Sequence, residues 1–456
     1  MKRRAKIGSF LKRIKNTVDI EDATVYKRVT IKIRHQGVLL RDTQKGSLIG
    51  TKKQFFVKDG QFLLSKIDAR FGAFGIVPKE VDGGIITGNF WTYEVDKKKV
   101  NIDWFNLFTS SGSFYEICDR ASSGTTHRKY LDEKAFLNFE IGLPDINEQN
   151  RFIEWYKDFY SKHNSLTQEI NSQLSNIQLL RQAILQEAVQ GKLVPQDPTD
   201  EPASELLKRI KAEKAKQAKK GKTETYEPIT DVPYEIPKGW VWCRLGELTD
   251  CILGGYAFKS TDFEKNGTNQ VLRLGNVKNN YLLFGANPVF VSDKIASIAN
   301  LGELYEGDIL ITMTGTRLKR DYCYTVLLQN EHFLNGRLFL NQRVGCLRLK
   351  KQLNLNYINY SLKSDKLLDF IFLEETGTAN QGNIGISTIK STPFPLPPLN
   401  EQKRIVNKVE QLIHLCDELE AQVQQSKADA EKLLQAVLRE AFEGNKNTIQ
   451  KTQHSV

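Results

Sequence analysis

Two stretches of the chain carry apolar residues at the spacing of a very long helix. From Asn147 to Gln190, and again from Asn400 to Glu443, 44 residues pass without a Gly or a Pro. Each predicts one helix of roughly 66 Å at 1.5 Å per residue. In the first, Ile153, Tyr160, Leu174 and Ala188 share one heptad position, and Tyr156, Ile170, Ile177 and Ile184 share the other. In the second, Val406, Ile413, Leu434 and Ala441 repeat the first position, and Val409, Cys416, Val423, Ala430 and Val437 the second. Such a pattern makes a coiled-coil seam. Polar residues interrupt both seams: His163, Thr167 and Arg181 in one, Glu420 and Lys427 in the other. The expected partner of each helix is therefore specific, most economically the other helix of the same chain, running antiparallel. Asn147 and Asn400 suit the N-cap, and Gly191 and Gly444 the C′ position. Off the seams, Trp155, Phe159, Leu166, Leu180, Leu412, Leu419 and Leu433 leave apolar side chains for other proteins to dock on.

The helices are copies. LPDINEQNRFI from Leu143 matches LPPLNEQKRIV from Leu396, at an offset of 396 − 143 = 253. The same offset relates QAILQEAVQG from Gln182 to QAVLREAFEG from Gln435, and SGTTHRKYL from Ser123 to TGTANQGNI from Thr376. Two long copies predict an internal duplication with pseudo-twofold character rather than a solenoid. The remaining sequence alternates short β-like runs, such as VTIKIRHQGVLL from Val29 and GDILITMTGT from Gly307, with turns. Each half adds one short helix, DWFNLFTSSGSFYEI from Asp103 and NYINYSLKSDKLLDFIF from Asn356. The predicted fold class is α+β. A mixed globular domain over 1–146 precedes a long spacer helix over 147–191, a basic connector over 192–232 holds a helix from Ala203 to Lys220, and a second domain over 233–399 precedes a second spacer helix over 400–446 and a flexible tail over 447–456.

Charge narrows the functional classes. The 456 residues hold 65 Lys and Arg against 54 Asp and Glu, a formal net charge of +11, which favours a polyanionic partner. The connector lysines and arginines from Lys208 to Lys220 predict either phosphate contact or a solvated face. No apolar run approaches the ~18 residues that cross a bilayer, so no membrane role is expected. The six cysteines form no C-x-x-C pair and no metal-ligand spacing with the six histidines, which predicts reduced thiols and no metal site.

The EQ-containing helix start, the A-x-L-x-E-A-x-x-G helix end and PYEIPKGWVWCRLGEL from Pro233 together resemble type I restriction-modification specificity subunits. In the first half, GQFLLSKIDARFGAFGIVPKEVDGGIITGNF from Gly60 and SSGTTHRKYL from Ser122 resemble one class of that family's target-recognition domains. The resemblance covers essentially the whole chain, although the first half lacks the EIPKGWVW lead-in. It implies two target-recognition domains held apart by the long helices. It also implies double-stranded DNA with a bipartite, asymmetric target, two methyltransferase subunits and motor-nuclease restriction subunits as partners, and a bacterial or archaeal cytoplasm as the setting.

No catalytic residues are expected in this chain. Asn287 to Phe290 reads NPVF, with Val where an amino-methyltransferase motif needs a second Pro, and no Walker-type phosphate loop occurs. Pro144 and Asp145 correspond to Pro397 and Pro398 in the other copy, so a nuclease carboxylate is not required there. The chain is expected to hold no cofactor, with S-adenosylmethionine, ATP and Mg on partner subunits that methylate adenine N6 and cut. The rivals are a stand-alone modification or cleavage enzyme and a coiled-coil assembly protein whose charge is incidental. Base edges are told apart by two-pronged donors and acceptors, Arg and Lys on guanine, Asn and Gln on adenine. The expected readers are therefore Lys66, Arg70, Thr125, Thr126, His127, Arg128 and Lys129 in the first half. In the second they are Thr314, Thr316, Arg317, Arg320, Thr378, Asn380, Gln381 and Asn383.

Overall fold

The computed structural model describes residues 3–125, 128–217, 226–227, 229, 232 and 234–443. The expected tail, Gly444 as a helix cap, and Thr126 and His127 lie outside them. Two compact units divide the chain: residues up to Asn171 with those from Gln424 onward, and Ser172–Val423. The boundary falls within both long helices, so each unit contains a globular part and a stretch of antiparallel helix pair.

In the first unit, strands Leu11–Ile14, Phe90–Val95, Phe62–Ser65 and Phe74–Ile76 form an antiparallel sheet in that spatial order. Aromatic rings fill the space between it and the helices that follow. Phe62 meets Phe105 edge-on at 4.9 Å and Phe74 meets Phe114 at 4.8 Å, all four fully buried. Edge-to-face pairs of this kind add to the area they remove from water. A second, five-stranded sheet contains the hairpin Val25–Ile31 and Val38–Lys45. Past the helices come a ribbon, Ser122–Thr125 with Arg128–Leu131, a helix Glu133–Asn138, and a strand Glu140–Leu143 paired with Arg3–Lys6.

The second unit rebuilds this frame. Strands Thr249–Gly254, Val344–Leu349, Ile309–Thr312 and Thr325–Leu327 take the same order and the same antiparallel pairing. The ribbon Thr376–Thr378 with Gln381–Asn383, the helix Ile386–Ser391 and the strand Pro393–Leu396 follow as before. Among the described residues the five-stranded sheet has no counterpart; a parallel pair, Asn269–Leu272 with Arg337–Leu340, occupies this part of the chain.

The single short helix expected in each half is two helices: Ile102–Thr109 and Gly112–Arg120, then Leu355–Ser361 and Asp365–Leu373. A serine accounts for the break in the second half, because the Ser364 side chain accepts from the Leu367 amide and starts a new helix.

The long helices run Ile146–Val189 and Leu399–Glu443. Ile153, Ile170, Ile177, Ile184 and Ala188 are buried along one seam and Val406, Val409, Cys416 and Ala430 along the other; Tyr160 is exposed. Four of the five polar interruptions meet partners across the pair, while Thr167 donates to the His163 carbonyl of its own helix. In the second unit Arg181 binds Asp417 at 2.7 Å and Glu420 at 2.8 Å; in the first the His163 ring lies 3.1 Å from the Ala430 carbonyl oxygen. Such contacts fix register.

Asn147 is not the N-cap. The Asp145 carboxylate accepts from the amides of Asn147 and Glu148, while Glu148 accepts from the amide of Asp145. This reciprocal pair is a capping box, and it gives Asp145 a structural task where a nuclease reading would have sought chemistry. Gly191 does take the left-handed conformation expected after a helix, φ +69°.

The glutamine of each EQ motif brackets helix to domain. Gln149, fully buried, donates to the carbonyls of Lys99 and Pro144 and accepts from the Asn101 amide at 2.8 Å. Gln402, equally buried, donates to the Pro397 carbonyl and accepts from the Asn354 amide at 3.0 Å. Asn101 and Asn354 themselves cap the first helix of each pair, so one amide in each unit ties two helix starts together.

The connector helix, Ala203–Gln217, is part of the second unit's core. Ala203, Leu206, Leu207 and Ile210 are buried, and the basic residues largely have partners within the unit: Arg209 with Glu201, Lys208 with Glu205, Lys211 with Glu247. Lys219 and Lys220 lie outside the described residues.

Candidate nucleic-acid interface

In the first unit the expected readers converge on neighbouring loops. Lys66 is joined to the ribbon by its carbonyl, which accepts from the Leu131 amide at 2.8 Å. Thr125 and Arg128 face each other across the ribbon. Lys129 lies 3.6 Å from Asp119, so its charge is partly answered within the unit. Arg70 lays its guanidinium 4.5 Å over the ring of exposed Phe71, and its Nε is buried without a hydrogen-bond partner. The chain turns back at Gly72, φ +82°. A Cβ there would lie 2.2 Å from the Tyr115 hydroxyl, so only glycine satisfies both demands.

Beside this loop sits a turn that sequence reasoning missed. Arg34 and His35, both in the left-handed region, donate their amides to the carbonyls of Phe71 and Gly72. The His35 ring lies 2.8 Å from the Thr109 hydroxyl, and burial lowers its pKa. Lys32, Arg34 and Gln36 are exposed on that turn. Arg-His-Gln-Gly between two β-like runs was the available signal.

In the second unit Thr314–Gly315 joins the ribbon as a third strand, Thr314 opposite Asn383 and Gly315 opposite Gly382. Thr314 itself is buried, a position in the frame, whereas Thr378, Asn380 and Gln381 are exposed and Asn383 is half-buried. From Thr316 to Cys323 the loop is strained: Leu318, Arg320 and Cys323 all have positive φ. Thr316 donates its amide to Asp321 at 2.7 Å, and the Tyr322 hydroxyl donates to Glu375. Arg317 reaches the Gly377 carbonyl and Arg320 pairs with Asp369 at 2.8 Å, which leaves Leu318 projecting at 85% exposure. Among the described residues no group of three or more His, Cys, Asp or Glu is placed to hold a metal.

The off-seam apolar residues occupy equivalent positions, since Phe159, Leu166 and Leu180 are each 253 residues before Leu412, Leu419 and Leu433. Leu166, Leu180, Leu419 and Leu433 are exposed; Phe159 is half-buried and Leu412 packs against the second unit's core. In the first unit Trp155 stacks on Phe159 at 5.5 Å and borders a cavity of about 540 Å³ that Trp104, Phe152, Val437 and Ala441 also line. At the equivalent place in the second unit the connector closes over the surface: Gln196 donates to Glu401, Asp200 pairs with Arg404, and Trp240 packs on Tyr357.

A family model described as the type I restriction modification DNA specificity domain matches residues 5–176 and, separately, residues 237–426. The chain belongs to this family. The family's model falls once on each half, in step with the duplicated frame. Among its relatives, the EcoAI specificity subunit of Escherichia coli is 33% identical over 70% of this chain and 61% of its own. The EcoEI specificity subunit of Escherichia coli is 32% identical over 58% of this chain and 44% of its own. The chain thus spans less than two thirds of the length of either. The MjaVIII specificity subunit of Methanocaldococcus jannaschii is 22% identical over 95% of this chain and 91% of its own. The HsdS subunit from Thermoanaerobacter tengcongensis superposes with a TM-score of 0.56 at 17% identity, over 97% of this chain and 96% of that one. A chain from a type I R-M system solved in connection with complex assembly and conformational transition gives 0.66, also at 17% identity, over 96% and 97%. These likenesses establish the fold: two mixed α/β domains and long helices in a duplicated order. No helix among the described residues is long and apolar enough to cross a membrane.

Proposed function

We propose that this chain is the sequence-specific DNA-binding component of a type I restriction-modification system. Each unit reads one half of a bipartite, asymmetric target. One observation carries the reading: two copies of one frame present different polar loops at the same position, Lys129 and its neighbours in one, Asn380 and Gln381 in the other. A shared frame with unlike loops is what two different half-sites require, because donors and acceptors on base edges select the sequence while the frame supplies placement. Reading alone makes and breaks no bond. The chemistry falls to two methyltransferase subunits with S-adenosylmethionine and to motor-nuclease subunits with ATP and Mg. The exposed leucines on the long helices are the docking positions for the methyltransferases.

Exchanging the first globular half, residues 1–146, for that of a relative tests this directly. The methylated motif of cells carrying the chimaera should change in one half-site and keep the other. A change in both halves would refute independent reading, and methyl transfer by the purified chain alone would refute the division of labour.

A further inference from the structure

The second unit contains a cavity of about 630 Å³ that includes none of the expected base readers. Arg273, Lys278, Asn287, Asn341, Gln342 and Arg343 line it, and no carboxylate does. That composition is unusual within this unit, where Arg337 pairs with Glu303, Arg348 with Asp308 and Arg404 with Asp200. Among the described residues neither Lys278 nor Arg343 forms an ion pair.

The walls are braced from behind. Arg273 donates from its guanidinium to the Asn287 carbonyl, and its charged carbon lies 6.0 Å from the Phe263 ring centre. Buried Asn276 accepts from the Arg273 amide and donates to the carbonyls of Leu283 and Ala286. On the opposite wall the Asn341 side-chain oxygen accepts from the Gln342 amide, so its NH₂ is the part left for a ligand. Gly255 backs this turn so closely that a Cβ would lie 2.0 Å from the Asn341 carbonyl oxygen. The Arg343 carbonyl accepts from the Met313 amide, which sets the cavity beside the strand leading to the ribbon loop.

We propose that this cavity is a phosphate clamp: it takes one backbone phosphate of the target duplex while the neighbouring ribbon addresses the bases. The clamp rests on the reading of the second unit as a DNA-binding domain. Ammonium and guanidinium groups only donate, and a phosphodiester only accepts. Guanine's major-groove edge is acceptor-only too, but a contact there would read sequence, whereas a phosphate is the same at every position. The contact therefore contributes affinity and register without sequence information.

The test is a salt titration of the full chain on two duplexes, one containing the methylated motif and one scrambled, with the K278Q/R343Q variant beside the parent. The slope of log K against log salt should become shallower by about one for one lost phosphate contact. Affinity should fall by the same factor on both duplexes, and the motif methylated in cells should stay unchanged. The R343K variant should keep the parent slope, since a phosphate needs the charge and not the guanidinium fork. An unchanged slope overturns the clamp, as does a loss confined to one base position of the motif. Competition by micromolar inorganic phosphate or a mononucleotide would identify a small-ligand site and overturn it too. Failure of the parent chain to prefer the motif-bearing duplex would instead reject the underlying DNA-binding reading.

Discussion

Replacing Gln149 by Met keeps the volume of the side chain and removes its hydrogen bonding. The Asn101 amide and the carbonyls of Lys99 and Pro144 then lose their shared partner in a place from which solvent is excluded. At about 1 kcal/mol of net stability per hydrogen bond, the loss is about 3 kcal/mol. Gln402 makes two such bonds, to the Pro397 carbonyl and from the Asn354 amide, so Gln402→Met should cost about 2 kcal/mol. For units of this size each kcal/mol lowers Tm by about 2–4 °C. Differential scanning calorimetry should therefore show a fall of about 6–12 °C for the first variant and a smaller one for the second. Hydrogen exchange adds a local check: Gln149→Met should expose the Asn101 amide and leave Asn354 protected. A shift below about 2 °C, or unchanged protection at Asn101, would refute the view that this amide brackets helix to domain.

Arg181→Ala and Glu420→Ala should each destabilise the second unit by about 1–2 kcal/mol, with a double-mutant coupling of about 0.5–1 kcal/mol that shrinks in salt; additive losses would mean that the pair does not set register. Burial pulls Lys363 down to about 8, so the unfolded chain binds its proton more tightly. The contribution of Lys363 to stability should then rise with pH between about 8 and 10.5, and Lys363→Met should flatten the profile by about 3 kcal/mol across that window in denaturant titrations. Leu166→Glu and Leu419→Glu should leave Tm within about 2 °C of the parent, as surface substitutions do, yet abolish co-purification with the methyltransferase; retained co-purification would move the docking face elsewhere.

Periodicity reported the long helices well because a heptad is a local pattern, and the burial of Ile170, Ile177, Val409 and Cys416 follows it. The polar breaks were legible only as breaks. That Arg181 meets Glu420 depends on the antiparallel register, which sequence does not state. The capping box at Asp145 was legible, since Asp followed three residues later by Glu is a local signal; Asn147, two positions on, suits a cap by residue type but lies inside the helix. Gln149 was not legible in the same way, because its partners include backbone groups some fifty positions upstream. Among the expected readers, Thr378, Asn380 and Gln381 are exposed on their ribbon, whereas Thr314 proved buried. The walls of the basic cavity come from three separate chain segments, so no window of sequence could display their convergence.

The division of the chain into units has a consequence for its synthesis. The second unit is drawn from one continuous stretch, Ser172–Val423, while the first closes only when residues from Gln424 onward have been made. Phe442 supplies rings to Trp104, Phe108 and Phe152, which leave the ribosome far earlier. At about 5–20 residues per second, Phe152 waits roughly 15–60 s for that contact. The half of the protein translated first is thus the half completed last, and in the interval its apolar edge is exposed to chaperones and to other nascent chains.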